Sequence, residues 1–320
     1  MGGLPAPDPR PWARPLAPAI AGHTDAEKGK IVEFVTSLAF EKPEDLGRLC
    51  QAADAAGFHG AALSDHLVHP KQLKTPYPYT PDGVPRWEPF TDWPDPWVAA
   101  AHLAASTERL RFYTSIFVLP MRNPFHVAKA VGTASVLSGG RMTLGVGVGW
   151  MREEFELSEQ PFERRGARAN EMIDVLRKLW SGGWVEHHGE FYDFDALEMS
   201  PVPRHEIPIW SGGLSEPALR RAAQRCDGWI SDLHESDELG RYAERLGALR
   251  ADSDRADRPF SIIASCSDVF DVDGYRRLAD HGVTHVNTMP WVFYGGAAQD
   301  LQQKCDGLRR FSDEVIAAFR

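Results

Sequence analysis

The chain of 320 residues carries a net charge of −10 at pH 7, and its lysines and arginines are dispersed, which argues against nucleic-acid binding as the main activity. The length and a hydrophobic fraction of 43% suffice for one large core. The four cysteines form no CxxC pair and no apolar run reaches about 18 residues, so we expect a cytoplasmic protein without structural disulfides or membrane contact.

Strand-like and helical runs alternate along most of the chain. Residues 1–30 are rich in proline, alanine and glycine, and we predict an extended arm there. Strands are predicted at 31–37, 61–64, 112–118, 142–148, 209–212, 228–231, 260–266 and 283–289. Helices are predicted at 44–56, 96–106, 124–138, 162–180, 216–225, 238–250, 274–281 and 298–319. This alternation predicts an α/β fold, a (β/α)8 TIM barrel formed by residues 31–320 as one domain; a doubly wound sheet would have fewer strands.

The sequence contains two long loops: residues 67–95 follow the predicted strand 61–64, and residues 181–208 follow the predicted helix 162–180. The active sites of such barrels lie at the carboxyl ends of the strands, where we place both loops. The first loop contains many prolines and five large aromatic residues, Tyr77, Tyr79, Trp87, Phe90 and Trp93. We predict that it forms a stiff aromatic lid, which suits an apolar or aromatic substrate.

Asp65 and His66 directly follow the predicted strand 61–64. A neighbouring carboxylate can fix the tautomer of a histidine, and histidine titrates near neutral pH. The pair is therefore a candidate acid/base catalyst. A loop-capping pair is the alternative, and position alone does not separate the two.

Glycines occupy alternate positions at Gly145, Gly147 and Gly149. Missing side chains along a strand let either a packed neighbour or a flat ligand approach the backbone. Trp150 stands where a GxGxxG dinucleotide motif requires glycine, so this segment is a poor Rossmann fingerprint.

The segment 209–213 ends in two glycines before a helix that starts near Ser215. Such a turn can hold a phosphate, or it can be an ordinary strand-to-helix connection. The pairs His187-His188 and His66 with His69 lack an acidic partner that completes a ligand set, so we expect no metal. Gly-x-Ser-x-Gly and Cys/His signatures of nucleophilic hydrolases are absent from the sequence.

Eight short motifs follow one another in a fixed order along the chain. It comprises Ser64-Asp65-His66, Pro94-Asp95-Pro96-Trp97, Arg122-Asn123-Pro124, Leu137-Ser138-Gly139-Gly140-Arg141, Glu153-Glu154-Phe155, Phe162-Glu163-Arg164-Arg165-Gly166, His188-Gly189-Glu190-Phe191 and Asp227-Gly228-Trp229. In this order the motifs resemble the luciferase-like monooxygenase superfamily, and especially its branch of oxidoreductases that depend on the deazaflavin coenzyme F420.

The resemblance implies a (β/α)8 barrel, a homodimer, and coenzyme F420 or FMN in the cavity at the strand ends. It implies a cis peptide between Ser115 and Ile116 that backs the ring, Asp65 at the polar edge of the ring, and His66 near the reactive carbon. It also implies cofactor contacts for the glycine-rich residues, with Gly147, Val148 and Gly149 near the cofactor side chain and Ser211, Gly212 and Gly213 near its phosphate.

One residue departs from the resemblance. Members that oxidise sugar phosphates carry a catalytic glutamate directly after the glycine-rich strand, whereas this chain has Trp150. We therefore predict hydride transfer between coenzyme F420 and a small, apolar carbonyl or conjugated substrate stacked near Trp150. The alternatives are an FMN-dependent monooxygenase served by a partner reductase, and a non-catalytic flavin-binding protein.

Overall fold

The computed structural model describes residues 32–295 and 300–320, so the arm predicted over residues 1–30 lies outside the described residues. Strands and helices alternate along the chain. The strands are β1 (Glu33–Ser37), β2 (Gly60–Leu63), β3 (Arg111–Thr114), β4 (Phe117–Val118), β5 (Met142–Gly147), β6 (Val185–His188), β7 (Asp193–Leu197), β8 (Ile209–Gly212), β9 (Gly228–His234), β10 (Ser261–Cys266) and β11 (His285–Thr288).

Nine of these strands close into a parallel barrel. The pairing order is β3-β2-β1-β11-β10-β9-β8-β5-β4, and β3 also pairs with β5, which closes the ring. Because β4 continues β3 along the same side of β5, the nine strands fill eight barrel positions. The predicted (β/α)8 TIM barrel is confirmed.

The helices surround the barrel. They are α1 (Pro43–Ala56), α2 (Pro96–Ala105), α3 (Pro124–Leu137), α4 (Arg152–Leu157), α5 (Arg165–Trp180), α6 (Glu216–Arg225), α7 (Ser236–Ala251), α8 (Val272–Asp280), α9 (Pro290–Gly295) and α10 (Leu301–Glu314). Their inner faces and the outward side chains of the strands share one continuous hydrophobic core. In the described part of the chain, none of the helices is long and apolar enough to cross a membrane.

Side-chain caps determine where several helices begin. Asp95 accepts hydrogen bonds from two backbone N–H groups of α2, and Asn123 accepts one at the start of α3. Asp300 and Gln303 form a capping box, so α10 begins at Leu301. A proline opens both α2 and α3, where its missing N–H costs no helical hydrogen bond.

Two parts of the chain differ from the sequence prediction. The run predicted as one strand at 112–118 is divided into β3 and β4 by the cis peptide Ser115–Ile116. The loop at 181–208 contains the antiparallel hairpin of β6 and β7. Its alternation is of half-exposed and exposed residues rather than apolar and polar ones, which is why hydrophobicity did not reveal it.

The side chains inside the barrel form layers. Six packed side chains make the middle layer, namely Val35, Ala62, Tyr113, Trp210, Ile230 and Ile263. Side chains alternate along a strand, so the next inward residues toward the carboxyl ends form a top layer that includes Ser64, Ser115, Gly147, Gly212, Ser265 and Asn287. The inward residues toward the amino ends form a bottom layer that includes Arg111, Thr143, Ser261 and His285.

Candidate active site at the carboxyl ends of the strands

Asp65 follows β2 and is committed to a buried ion pair. Its side chain is 2% exposed, and its two oxygens accept hydrogen bonds from the Arg122 guanidinium at 2.6 and 2.7 Å. The Val118 N–H also donates to it, at 2.8 Å. Burial raises the pKa of the Asp65 carboxyl, and the Arg122 charge and the Val118 N–H oppose that shift. The pair joins the end of β2 to the end of β4.

His66 is oriented by a different carboxylate from the one the sequence suggested. The His66 Nδ1 lies 3.3 Å from Glu154 Oε1, and the Glu154 side chain is 3% exposed. A carboxylate accepts a hydrogen bond from a ring N–H, so Glu154 can orient the His66 ring through Nδ1. The pairing of His66 with Asp65 was therefore wrong as geometry, and the catalytic role predicted for Asp65 stays a prediction.

Three tryptophans lie around His66, and Tyr77 packs against two of them; the four residues, here called the aromatic cluster, are Tyr77, Trp87, Trp93 and Trp150. The ring centroids of Trp87, Trp93 and Trp150 lie 4.5, 5.3 and 6.2 Å from that of His66. Burial raises the pKa of Tyr77 to about 12, so its hydroxyl stays protonated at neutral pH. Three of the four residues come from the loop at 67–95, which forms the aromatic lid that the sequence predicted. Phe90 does not share this role, since it is 99% exposed.

Two adjacent carboxylates of α4 fasten the lid to the barrel. Glu154 accepts from the Leu67 N–H at 2.7 Å, besides its contact with His66. Glu153 accepts from the Lys74 N–H and from both the N–H and the hydroxyl of Thr75. The helix that carries them was not predicted, although both glutamates stand in a motif that the sequence analysis quoted.

The far edge of the lid is joined to β9. Arg86 donates two hydrogen bonds to the Asp232 carboxylate, at 2.8 and 2.9 Å. A third hydrogen bond from Arg86 reaches the Tyr79 carbonyl at 3.0 Å. This ion pair holds the lid across the strand ends, and no local sequence signal linked two residues so far apart in the chain.

The Ser115–Ile116 peptide is cis, as the resemblance implied. The neighbouring glycines make room for the protein itself. A Cβ on Gly145 would stand 1.8 Å from the Thr114 carbonyl oxygen, and one on Gly147 would stand 1.7 Å from Ile116 Cδ1. Packing against β3 and β4 therefore accounts for both glycines, and the cofactor contacts proposed for Ile116 and Gly147 stay predictions.

The residues after β5 turn away from the strand and into α4. Gly149 has a φ of 77°, which favours glycine, and a Cβ there would stand 2.5 Å from Val118 Cγ1. The Arg165 guanidinium donates to the Gly149 carbonyl at 3.0 Å. Val148 is half-buried against the main core. The turn delivers Trp150 to the aromatic cluster.

The glycine-rich end of β8 packs closely against its neighbours. Ser211 is fully buried, and its hydroxyl donates to the Gly212 carbonyl at 3.4 Å. Gly212 lies over Ile116, and Gly213 has a φ of 111° before α6. The Gly213 carbonyl accepts from the Trp229 indole at 3.0 Å. The predicted phosphate contacts of this segment stay predictions.

The top layer suits the polar edge of a flat heterocycle. Its side chains are small, and Asn287 donates to the Ser265 hydroxyl at 3.2 Å. The Asn287 Oδ1 is buried and has no hydrogen-bond partner among residues 32–295 and 300–320. A buried polar atom without a partner is costly in a finished structure. The N–H and carbonyl groups of a flavin or deazaflavin ring would satisfy this acceptor and the nearby serines.

The part of the chain that the structure describes contains no group of three or more histidine, cysteine, aspartate or glutamate side chains placed to hold a metal ion. His187 instead contacts Glu171 at 3.2 Å, and His188 contacts Asp193 at 2.6 Å. Both histidines therefore belong to the hairpin beyond the barrel.

The protein is a (β/α)8 barrel with a candidate active site at the carboxyl ends of its strands, and sequence comparison names its family. Residues 18–273 match the family of luciferase-like monooxygenases, beginning within the predicted arm. The chain belongs to this family of oxidoreductases.

Two curated proteins are similar to this chain over most of its length. An uncharacterized protein of Mycobacterium tuberculosis is 39% identical over 288 residues, which are 89% of this chain and 97% of that protein. An F420-dependent glucose-6-phosphate dehydrogenase of Nakamurella multipartita is 30% identical over 247 residues, 74% of this chain and 67% of that protein.

Solved structures share the fold. A monooxygenase from Streptomyces bottropensis superposes with a TM-score of 0.69 and 18% identity, covering 90% of this chain and 100% of that one. A coenzyme F420-dependent tetrahydromethanopterin reductase from Methanopyrus kandleri has a TM-score of 0.68 and 15% identity, covering 91% and 100%. Both comparisons agree with the (β/α)8 barrel.

Proposed function

We propose that this protein transfers hydride between coenzyme F420 and a small, apolar carbonyl or conjugated substrate. The observation that carries the proposal is His66, held by the buried Glu154 and enclosed by the aromatic cluster at the strand ends. The 30% identity to F420-dependent glucose-6-phosphate dehydrogenase supports the choice of coenzyme. The top layer would hold the polar edge of the ring, through Ser64, Ser115 and Asn287.

The substrate class follows from the walls of the site. Trp150 lies 5.2 Å from Tyr77, ring centroid to ring centroid, and offers an indole face where sugar-phosphate-oxidising members have a glutamate. The charges nearest to the aromatic cluster are already paired, Asp65 with Arg122 and Arg86 with Asp232. A substrate phosphate would find no free cation among these groups, whereas an apolar ring or chain would stack on the indole.

The chain's own groups manage the proton. When bound, the coenzyme supplies or accepts the hydride. In the reducing direction, His66 protonated on both ring nitrogens would give its Nε2 proton to the substrate oxygen; in the oxidising direction, Nε2 of the neutral ring would take the hydroxyl proton. Glu154 keeps the ring oriented, and the aromatic cluster keeps water from the reacting atoms.

The direct test is binding of coenzyme F420 and of FMN to the purified full chain, followed by fluorescence at matched ionic strength. We expect F420 to bind at least tenfold more tightly, and its reduced form to reduce small ketones or enones without oxygen. A preference for FMN with oxygen-dependent turnover would instead assign a two-component monooxygenase with a partner reductase. Tight F420 binding without turnover on any such substrate would leave a flavin-binding protein.

The same preparation tests the assembly. We propose a homodimer, as the family resemblance implies, and expect a single species of twice the chain mass in light scattering. A monomer that binds F420 with full affinity would contradict this part of the proposal.

A further inference from the structure

A second cavity opens at the opposite end of the barrel from the candidate active site. It has a volume of about 350 Å³ and lies where the strands begin. Its lining includes the bottom-layer residues Arg111, Thr143 and His285, together with His59, which precedes β2, and Trp210. The proposed function makes no use of these side chains.

One cation in the lining of this cavity has no partner carboxylate. Arg111 donates one hydrogen bond, to the Gly140 carbonyl at 3.0 Å, and has no carboxylate within ion-pair distance among residues 32–295 and 300–320. Burial lowers the pKa of Arg111.

His285 lines the same space. The residue is 9% exposed, and its Nδ1 lies 2.8 Å from the Thr284 hydroxyl. The His59 ring stands against it, with centroids 5.0 Å apart. A ligand that reaches Arg111 would also meet both imidazoles.

The acidic side chains that line the cavity already form ion pairs with other arginines. Glu206 accepts two hydrogen bonds from Arg258, and Asp227 is bound by Arg177 and Arg255. Glu33, beside the cavity, lies 3.4 Å from His59 Nδ1. The guanidinium of Arg111 is therefore the charge in this lining that the described chain leaves without a counter-ion.

The middle layer separates this cavity from the candidate active site. Tyr113, Trp210, Ile230 and Ile263 pack against one another across the barrel interior. A molecule in one site does not touch the other. The cavity is thus a separate site and not an extension of the coenzyme site.

We propose that the amino end of the barrel binds a small anion, whose carboxylate or phosphate oxygens pair with Arg111 beside the imidazoles of His59 and His285. A guanidinium recognises both groups by the same forked hydrogen bonds. Carboxylate and phosphate sources are distinguished by two probes, acetate and inorganic phosphate.

The experiment is a calorimetric titration of the full chain with each probe in a chloride buffer. We expect saturable binding of one site per chain, weakened about tenfold or more by Arg111→Gln and partly restored by Arg111→Lys. Arg109→Gln is the matched control, because Arg109 is a mostly exposed neighbour that lies 3.9 Å from Asp54. The control should bind like the unaltered protein.

A second measurement uses the unaltered protein, in case Arg111→Gln does not fold. Phenylglyoxal labels accessible arginines, and mass spectrometry locates the label. We expect the bound anion to protect Arg111 and to leave the labelling of Arg109 unchanged. Absence of saturable binding by both probes, equal protection of the two arginines, or unchanged affinity in a folded Arg111→Gln variant would each overturn the proposal.

Discussion

The two ends of the barrel are lined by the same strands and differ in the side chains that those strands point inward. At the carboxyl ends the inward residues include serines, glycines and one asparagine, and the space above them is enclosed by aromatic rings from a lid. At the amino ends the inward residues include an arginine and a histidine, and the space between them is open as a cavity. A move of four residues, from Ser115 to Arg111, thus exchanges a small side chain for a cationic one.

The two ends of the barrel differ in whether their charged side chains are paired. Near His66 each charge is paired, and the buried carboxylates serve to hold backbone and side chains in place. In the lower cavity Arg111 stays without a counter-ion. The contrast indicates that the candidate active site is preorganised around His66, whereas the cavity at the amino ends contains a cation without a counter-ion.

The largest effect should come from His66→Ala. Loss of a general acid/base lowers kcat by about 10²- to 10⁴-fold, and coenzyme affinity should change little because the top layer is intact. Steady-state kinetics and fluorescence titration measure the two quantities. His59→Ala at the other end should leave kcat near the wild-type value, and equal losses in both variants would erase the functional difference between the ends.

Arg122→Met should have the largest effect on stability. It leaves Asp65 buried without its partner, which costs about 3–5 kcal/mol at pH 7. Without Arg122 the remaining influences, burial and the Glu154 charge, raise the pKa of Asp65 further above its ordinary value. The folded variant then holds more protons than the unfolded chain, so its stability falls as pH rises above that ordinary value.

Urea unfolding at pH 7 and at pH 4.5 checks this prediction. The stability deficit of Arg122→Met should be smaller at pH 4.5. Arg152→Met, which breaks the exposed ion pair with Glu163, is the control and should cost less than about 1 kcal/mol at either pH. A deficit in Arg122→Met that is independent of pH would show that the charge of Asp65 is not the cause.

Glu154→Ala and Glu153→Ala compare two adjacent anchors of the same lid. The first removes the buried carboxylate that accepts from the Leu67 N–H and contacts His66, and should cost about 2–3 kcal/mol. The second removes acceptors near solvent and should cost about 0.5–1 kcal/mol. Urea unfolding measures both. Equal costs would mean that burial does not distinguish the anchors.

Arg86→Ala should have the smallest effect on stability. The ion pair with Asp232 is partly exposed, so its loss should cost less than about 1 kcal/mol. The lid should nevertheless loosen, which acrylamide quenching of tryptophan fluorescence detects. Arg258→Ala breaks a similar pair at the lower end and should leave the quenching unchanged. Unchanged quenching in Arg86→Ala would show that the α4 anchors alone hold the lid.

Much of this molecule was predictable because its signals are local. Apolar runs of strand length, proline-led helix starts and glycine-rich turns predicted the barrel, and α6 agrees with its predicted bounds. The hairpin at 185–197 and the short helix α4 escaped, because neither buries a full apolar face.

The sequence by itself determined the barrel, the position of His66 at a strand end and the aromatic character of the lid, since all three depend on periodicity and on residues close together in the chain. Only the tertiary structure decided the pairing of Asp65 with Arg122, the contact of His66 with Glu154 and the isolation of Arg111. Partners of a charge are chosen by distance in space. Closure of the barrel sets those distances, joining residues that lie 57 and 88 positions apart in the chain.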